Sequence, residues 1–122
     1  MSNLALLIRA DGSFEVLDWP KSGTLNLLYS TIECQAIDAV GISNELTMWI
    51  DDEGAINGSA QNLGATIVYA AHKPPHQWYH GNAVITGGAD RYGNTRGLTK
   101  DQIAELVEIH VTQAHIPAQR SK

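Results

Sequence analysis

The sequence predicts a single α+β domain, a mostly antiparallel sheet of about five strands with two or three helices packed largely on one face. Three observations carry that expectation. Leu46, Met48 and Ile50 alternate with Thr47 and Trp49, the two-residue period of a strand. Leu25, Leu28, Tyr29 and Ile32 recur at helical spacing. Thr99 and Gln102 have the spacing of a capping box, with Leu98 and Ile103 placed as a hydrophobic staple. The expected order is β-β-α-β-β-β-α-β-α.

Leu4 to Ala10 and Phe14 to Leu17 are apolar runs separated by Asp11-Gly12, which reads as a β-hairpin. Trp19 to Gly23 is turn chemistry, and Thr24 is a candidate N-cap for a helix reaching about Cys34. Ala36 to Val40 is strand-like, with a loop expected from Gly41 to Glu45. The strand from Leu46 then enters Asp51-Asp52-Glu53-Gly54, a turn in which Gly54 is able to take the left-handed conformation. Ala55 to Asn57 is expected to return antiparallel. Gln61 to His72 carries Leu63, Ile67, Val68 and Ala71 at helical spacing, with Ser59 or Asn62 as the cap. Pro74-Pro75 ends that helix. Asn82 to Thr86 reads as a buried strand, Gly87 to Gly97 as a loop, and Leu98 to about His115 as the last helix, stopped by Pro117.

With 122 residues and 43% hydrophobic content, one core is the expectation, spanning 1–116, with 117–122 a flexible tail. The apolar runs Leu4 to Ile8 and Ala65 to Ala71 fall well short of the roughly 20 residues that cross a bilayer. No membrane association is expected, and the absence of a basic, then apolar, then small-residue leader points to the cytoplasm. A formal charge of −5 argues against unspecific nucleic-acid binding, which needs a surplus of Lys and Arg on one face. The lone Cys34 suits a small buried group, and the adjacent Glu33 is expected to raise its pKa.

Several short stretches occur in a familiar order: Leu46 to Gly54, Asn57-Gly58, Asn62, Ala65-Thr66, and Gly81 to Gly88. Together with Leu27 to Val40, they resemble the domain-of-unknown-function family numbered 3846, which is common in actinobacteria, their phages and their plasmids. The likeness covers roughly Leu25 to Thr99 and leaves the N-terminal hairpin and C-terminal helix outside the best-matched part. It implies a compact α+β fold and a mobile-element setting. The resemblance supplies no catalytic residues.

Candidate sites therefore rest on side-chain chemistry. Gly87, Gly88, Arg91, Tyr92, Asn94 and Arg96 form a glycine-rich segment with two cations and an aromatic ring. Backbone N–H groups there can converge on an anion, Arg91 and Arg96 can hold phosphate, and Tyr92 offers a stacking face. Asn62 either adds an amide contact or caps its helix. Trp49, Asp51, Asp52, Trp78 and Tyr79 make up a candidate acidic and aromatic protein interface. Clustered carboxylates at Asp51 to Glu53 could serve acid–base or metal chemistry, but adjacent turn residues usually diverge. His72, His76 and His80 repeat every four residues, and Pro74 and Pro75 forbid the helix that would align them as metal ligands. His110 and His115 suit packing or a helix C-terminus.

No nucleophile elbow, phosphate-binding loop of the Walker type or dinucleotide fingerprint is present. The expectation is a non-catalytic binding protein of a phage or mobile element that sequesters or inhibits a host component, either a host protein or a small nucleotide-like ligand. No catalytic residue, metal or cofactor is assigned. The alternatives are a small metal-dependent hydrolase using His76, His80 or the acidic turn, and a ligand-free regulatory homo-oligomer. A homodimer would also cover Trp49 if no other element does.

Overall fold

The computed structural model describes residues 3–54, 58–73 and 79–109. Its elements are β1 (Leu4–Ile8), β2 (Phe14–Asp18), α1 (Thr24–Ile32), β3 (Ile37–Ser43), β4 (Leu46–Asp51), α2 (Leu63–Ala70), β5 (Ala83–Gly87) and a final helix, α3 (100–109). The strands form one sheet in the order β2-β1-β5-β4-β3, and every neighbouring pair is antiparallel. The expected short strand at 55–57 lies outside the described residues.

Alternation sorts the strand residues into two faces. Leu6, Ile8, Leu46, Met48, Ile50 and Ile85 meet Ala65, Val68 and Tyr69 of α2 and Ile103 and Leu106 of α3. Ala5, Leu7 and Val84 meet Leu28 and Ile32 of α1 on the opposite face. Two helices therefore share one face and α1 covers the other. The central strands are buried on both sides, which is why all five residues of β5 are buried. Each fully buried aliphatic side chain stabilises the fold by about 1.5–3 kcal/mol relative to exposure.

Local chemistry sets most element boundaries. At the start of α3, the Thr99 N–H donates to Gln102 Oε1 at 2.9 Å and the Gln102 N–H donates to Thr99 Oγ1 at 3.1 Å, completing the expected capping box. Leu98, fully buried, also exchanges backbone bonds with Leu4, tying this helix to β1. β3 runs further than its sequence pattern indicates. It continues through Gly41 and Ile42 to Ser43, with a register irregularity at Gly41/Ser43, because Ile42 is drawn into the core beside Val40. Gly54 is not in a left-handed conformation. It is glycine for another reason, since a Cβ there would lie 2.8 Å from the His80 carbonyl oxygen.

The rotation of α2 is set by one buried polar side chain. Asn62 caps the helix by accepting from the Ala65 N–H at 2.9 Å, and its Nδ2 donates to the carbonyl oxygens of Ile8 at 2.9 Å and Gly81 at 2.8 Å. These bonds turn Ala65, Val68 and Tyr69 inward and leave Leu63, expected on the buried face, 53% exposed. Asn62→Ala would orphan two acceptors and one donor, and a loss of about 3 kcal/mol is expected in urea denaturation. Asn62→Asp is expected to cost at least as much at neutral pH, because a buried carboxylate would face both carbonyl oxygens. Leu63→Ser is expected to change stability by no more than about 0.5 kcal/mol.

Candidate functional site

The glycine-rich segment folds as a tight hairpin continuing from β5. Ala89 and Thr95 form an antiparallel bridge, the Arg96 N–H donates to the Gly88 oxygen, and the Gly87 N–H donates to the Arg96 oxygen. At the tip, Asp90 Oδ1 accepts from the N–H groups of Tyr92 at 2.8 Å and Asn94 at 2.9 Å. Gly93 closes the turn at φ 84, a conformation that L side chains rarely adopt. Gly88 lies against the Asn44 backbone, where an added Cβ would collide with the carbonyl oxygen. Several N–H groups available in principle to an anion thus bond within the hairpin.

The base of this hairpin forms one wall of an open cleft of about 590 Å³. Asn94, Thr95 and Arg96 line that side, and Trp19, Lys21 and Thr24 line the other. The walls are joined directly, since Trp19 Nε1 donates to the Thr95 carbonyl oxygen at 3.2 Å. Across from it, Arg96 also borders a cleft of about 370 Å³ with Glu45, Gly87, Gly88 and Gln102. Thr24 is the first helical residue rather than the cap; Gly23 occupies the cap position with no side-chain bond, and no acid stands in the first turn of α1.

The structure brings some of the expected ligand residues together and separates others. Asn94 and Arg96 line the larger cleft, while Gly87 and Gly88 border the smaller one beside Arg96. Arg91 and Tyr92 line neither cleft; Tyr92 is 80% exposed at the hairpin tip. Asn62 is fully buried with its amide committed to Ile8, Gly81 and Ala65. Lys21, Trp19 and Thr24 were not indicated by sequence, where 19–23 is only turn chemistry. The available signal was a lysine in a glycine-flanked turn ahead of a helix without a first-turn acid.

The acidic and aromatic set is dispersed. Trp49 is half-buried on the α1 face, packed beside Leu28, Ile32 and Val84, and its Nε1 donates to Thr86 Oγ1 at 2.9 Å. The covering element is therefore α1. Tyr79 is buried in the opposite cluster, its ring 5.5 Å from that of Tyr69. Trp78 lies outside the described residues. Asp51 Oδ1 accepts from the Glu53 N–H at 2.9 Å, as expected for a self-bonded turn, and leaves Asp52 exposed.

His72 and His80 each place Nδ1 against a local carbonyl oxygen, those of Val68 at 2.8 Å and Ser59 at 3.0 Å. His76, His110 and His115 lie outside the described residues. Among the described residues, no three His, Cys, Asp or Glu side chains are grouped to hold a metal ion.

The fold and its clefts define a small α+β domain layered as helices, sheet and helix, with a cation-bearing cleft between the turn that leads into its first helix and the hairpin that follows its last strand. Residues 1–110 match the model of DUF3846, a domain of unknown function, and the chain belongs to that family. The match takes in the N-terminal hairpin and all of the described α3. Among curated proteins and among solved structures, none matches this chain. No helix among the described residues is long and apolar enough to cross a membrane.

Cys34 is the described thiol, and burial pushes its pKa up, with the Asp51 carboxylate adding to the shift. The charge responsible comes from β4 rather than from the neighbouring Glu33. The thiolate is the reactive form, so raising this pKa lowers reactivity at neutral pH. Alkylation by iodoacetamide at neutral pH is expected to be slower than for a small free thiol and to accelerate on unfolding. Mass spectrometry of the modified chain over time checks this.

Proposed function

We propose that this chain is a non-catalytic binding protein that captures a small anionic, nucleotide-like ligand in the cleft between Lys21 and Arg96. The observation that carries the reading is the pair of cations on facing walls of one cleft in a chain of formal charge −5. Its volume of about 590 Å³ suits a small ligand, since binding clefts commonly span about 300–1,000 Å³. Arg96 offers a planar fork to phosphate oxygens, and Lys21 offers a compact charge. Asn94, Thr24 and Thr95 add polar groups for orientation, and the Asp90 carboxylate that also borders the cleft has its Oδ1 engaged by the N–H groups of Tyr92 and Asn94. Capture of this kind sequesters a host nucleotide within the cytoplasm, in keeping with the phage and plasmid setting that the sequence resemblance implies.

A second version, capture of a host protein, draws on Tyr92. This ring stands 80% exposed on a tip braced by Asp90, with Arg91 beside it. Rigid aromatic and arginine groups are favoured anchors at protein interfaces.

Equilibrium dialysis against nucleoside mono-, di- and triphosphates and inorganic pyrophosphate separates the two versions. Ligand capture predicts saturable binding that weakens about tenfold or more in Lys21→Ala and in Arg96→Ala, a loss of about 1.4 kcal/mol or more. Arg91→Ala is expected to change affinity less than about twofold, because that side chain lines neither cleft. The bound nucleotide is recovered unchanged. Absence of saturable binding, or binding indifferent to both cleft cations, contradicts the proposal.

A further inference from the structure

The sheet ends on two edge strands that differ in how they are protected. β3 has two devices that discourage pairing: the irregularity at Gly41/Ser43, and Lys73, whose Nζ donates to the Gly41 carbonyl oxygen at 3.0 Å. β2 has neither. Its register with β1 is unbroken from Phe14 to Asp18, and the strand contains no lysine and no proline.

The outward groups of β2 follow from its inward bonds. The Trp19 N–H donates to the Asn3 oxygen and the Arg9 N–H donates to the Ser13 oxygen, so residues 13 and 19 face β1. By the alternation of an antiparallel ladder, Val16 and Asp18 turn their N–H and C=O groups away from it. No other strand pairs with that edge among the described residues. The Val16 side chain lies on the same side as Leu6 and is nevertheless 46% exposed.

We propose that β2 pairs antiparallel with β2 of a second copy of this chain, across a two-fold axis at Val16. The edge of β2 is self-complementary. In this register, Val16 meets Val16 of the partner subunit, so the two exposed aliphatic side chains cover each other. Asp18 stands opposite Phe14 of the partner subunit rather than opposite a second carboxylate. Glu15 is paired with Arg9 of its own chain, so its charge is already balanced where the acidic strands approach. Like charges directly opposite would disfavour the pairing, and this arrangement avoids them. The interface is isologous and closes at two copies. It is independent of the ligand reading, although β2 leads directly into Trp19 and Lys21 on the cleft wall.

Sedimentation velocity of the full chain from about 5 to about 100 µM tests the pairing, since dimerisation follows mass action. The expected result is a species of twice 13.2 kDa whose dissociation constant rises at least about tenfold in Val16→Lys. Circular dichroism verifies that this variant remains folded. A chain carrying Cys34→Ser and Val16→Cys is expected to form a disulfide-linked dimer on mild oxidation, because directly opposed residues have a Cα separation of about 5.5 Å. A monomer throughout the range, a dimer indifferent to Val16→Lys, or no cross-link at position 16 overturns the proposal.

Discussion

The domain depends on a buried amide. Asn62 joins the end of β1, the start of α2 and the approach to β5 through three side-chain bonds, and its N–H donates to the Tyr79 oxygen at 2.7 Å. A fully buried polar side chain is costly unless satisfied, and this one has partners for both its donor nitrogen and its acceptor oxygen. Asn82 makes a related connection toward the other layer. Its Nδ2 donates to the Thr31 oxygen and its Oδ1 accepts from the Ala10 N–H, each at 3.3 Å. Hydrophobic burial supplies the larger share of stability, but these directional bonds select the helix rotations and strand approaches that permit it.

The position of the cleft follows from that frame. β5 is central and buried on both faces, so the chain leaving it must find its bonds locally, and the 88–96 hairpin does so with its own backbone and with Asp90. β1 carries β2 at its other side, and the turn after β2 brings Trp19 back against Thr95. Arg96 and Lys21 thereby border the same opening. Because the hairpin backbone is braced by its own bonds, an anion entering there meets an Arg96 carried on a backbone already ordered by folding. Tyr92, at the far end, is held away from the cleft by the same bracing.

Elements governed by near neighbours in sequence were legible. The capping box needs only Thr99 and Gln102, and β4 declares itself through Leu46, Met48 and Ile50. Features governed by distant partners were not. The buried face of α2 was misjudged at Leu63 because its rotation is fixed by a bond spanning 54 residues, from Asn62 to Ile8. The glycine-rich segment was visible as polar and cationic, yet its facing wall at Lys21 was hidden, since the bond that joins them spans 76 residues. Trp49 was correctly placed opposite the aliphatic side of β4, while the identity of its cover, α1, depended on tertiary packing. Gly54 reads in sequence as a turn residue and Gly88 as part of an anion-binding segment, and both prove to be points of close backbone approach.

The central functional claim is capture without conversion at the Lys21 and Arg96 cleft. A nuclear magnetic resonance titration, recording ¹⁵N–¹H shifts of the protein and ³¹P signals of an added nucleotide together, tests it most directly. The account predicts saturable shifts concentrated at residues 19–24 and 94–97, with the phosphorus spectrum of the nucleotide preserved after prolonged incubation. Shifts centred on the Asp51 to Glu53 turn, or steady appearance of a phosphorus-containing product under catalytic protein concentrations, would contradict it.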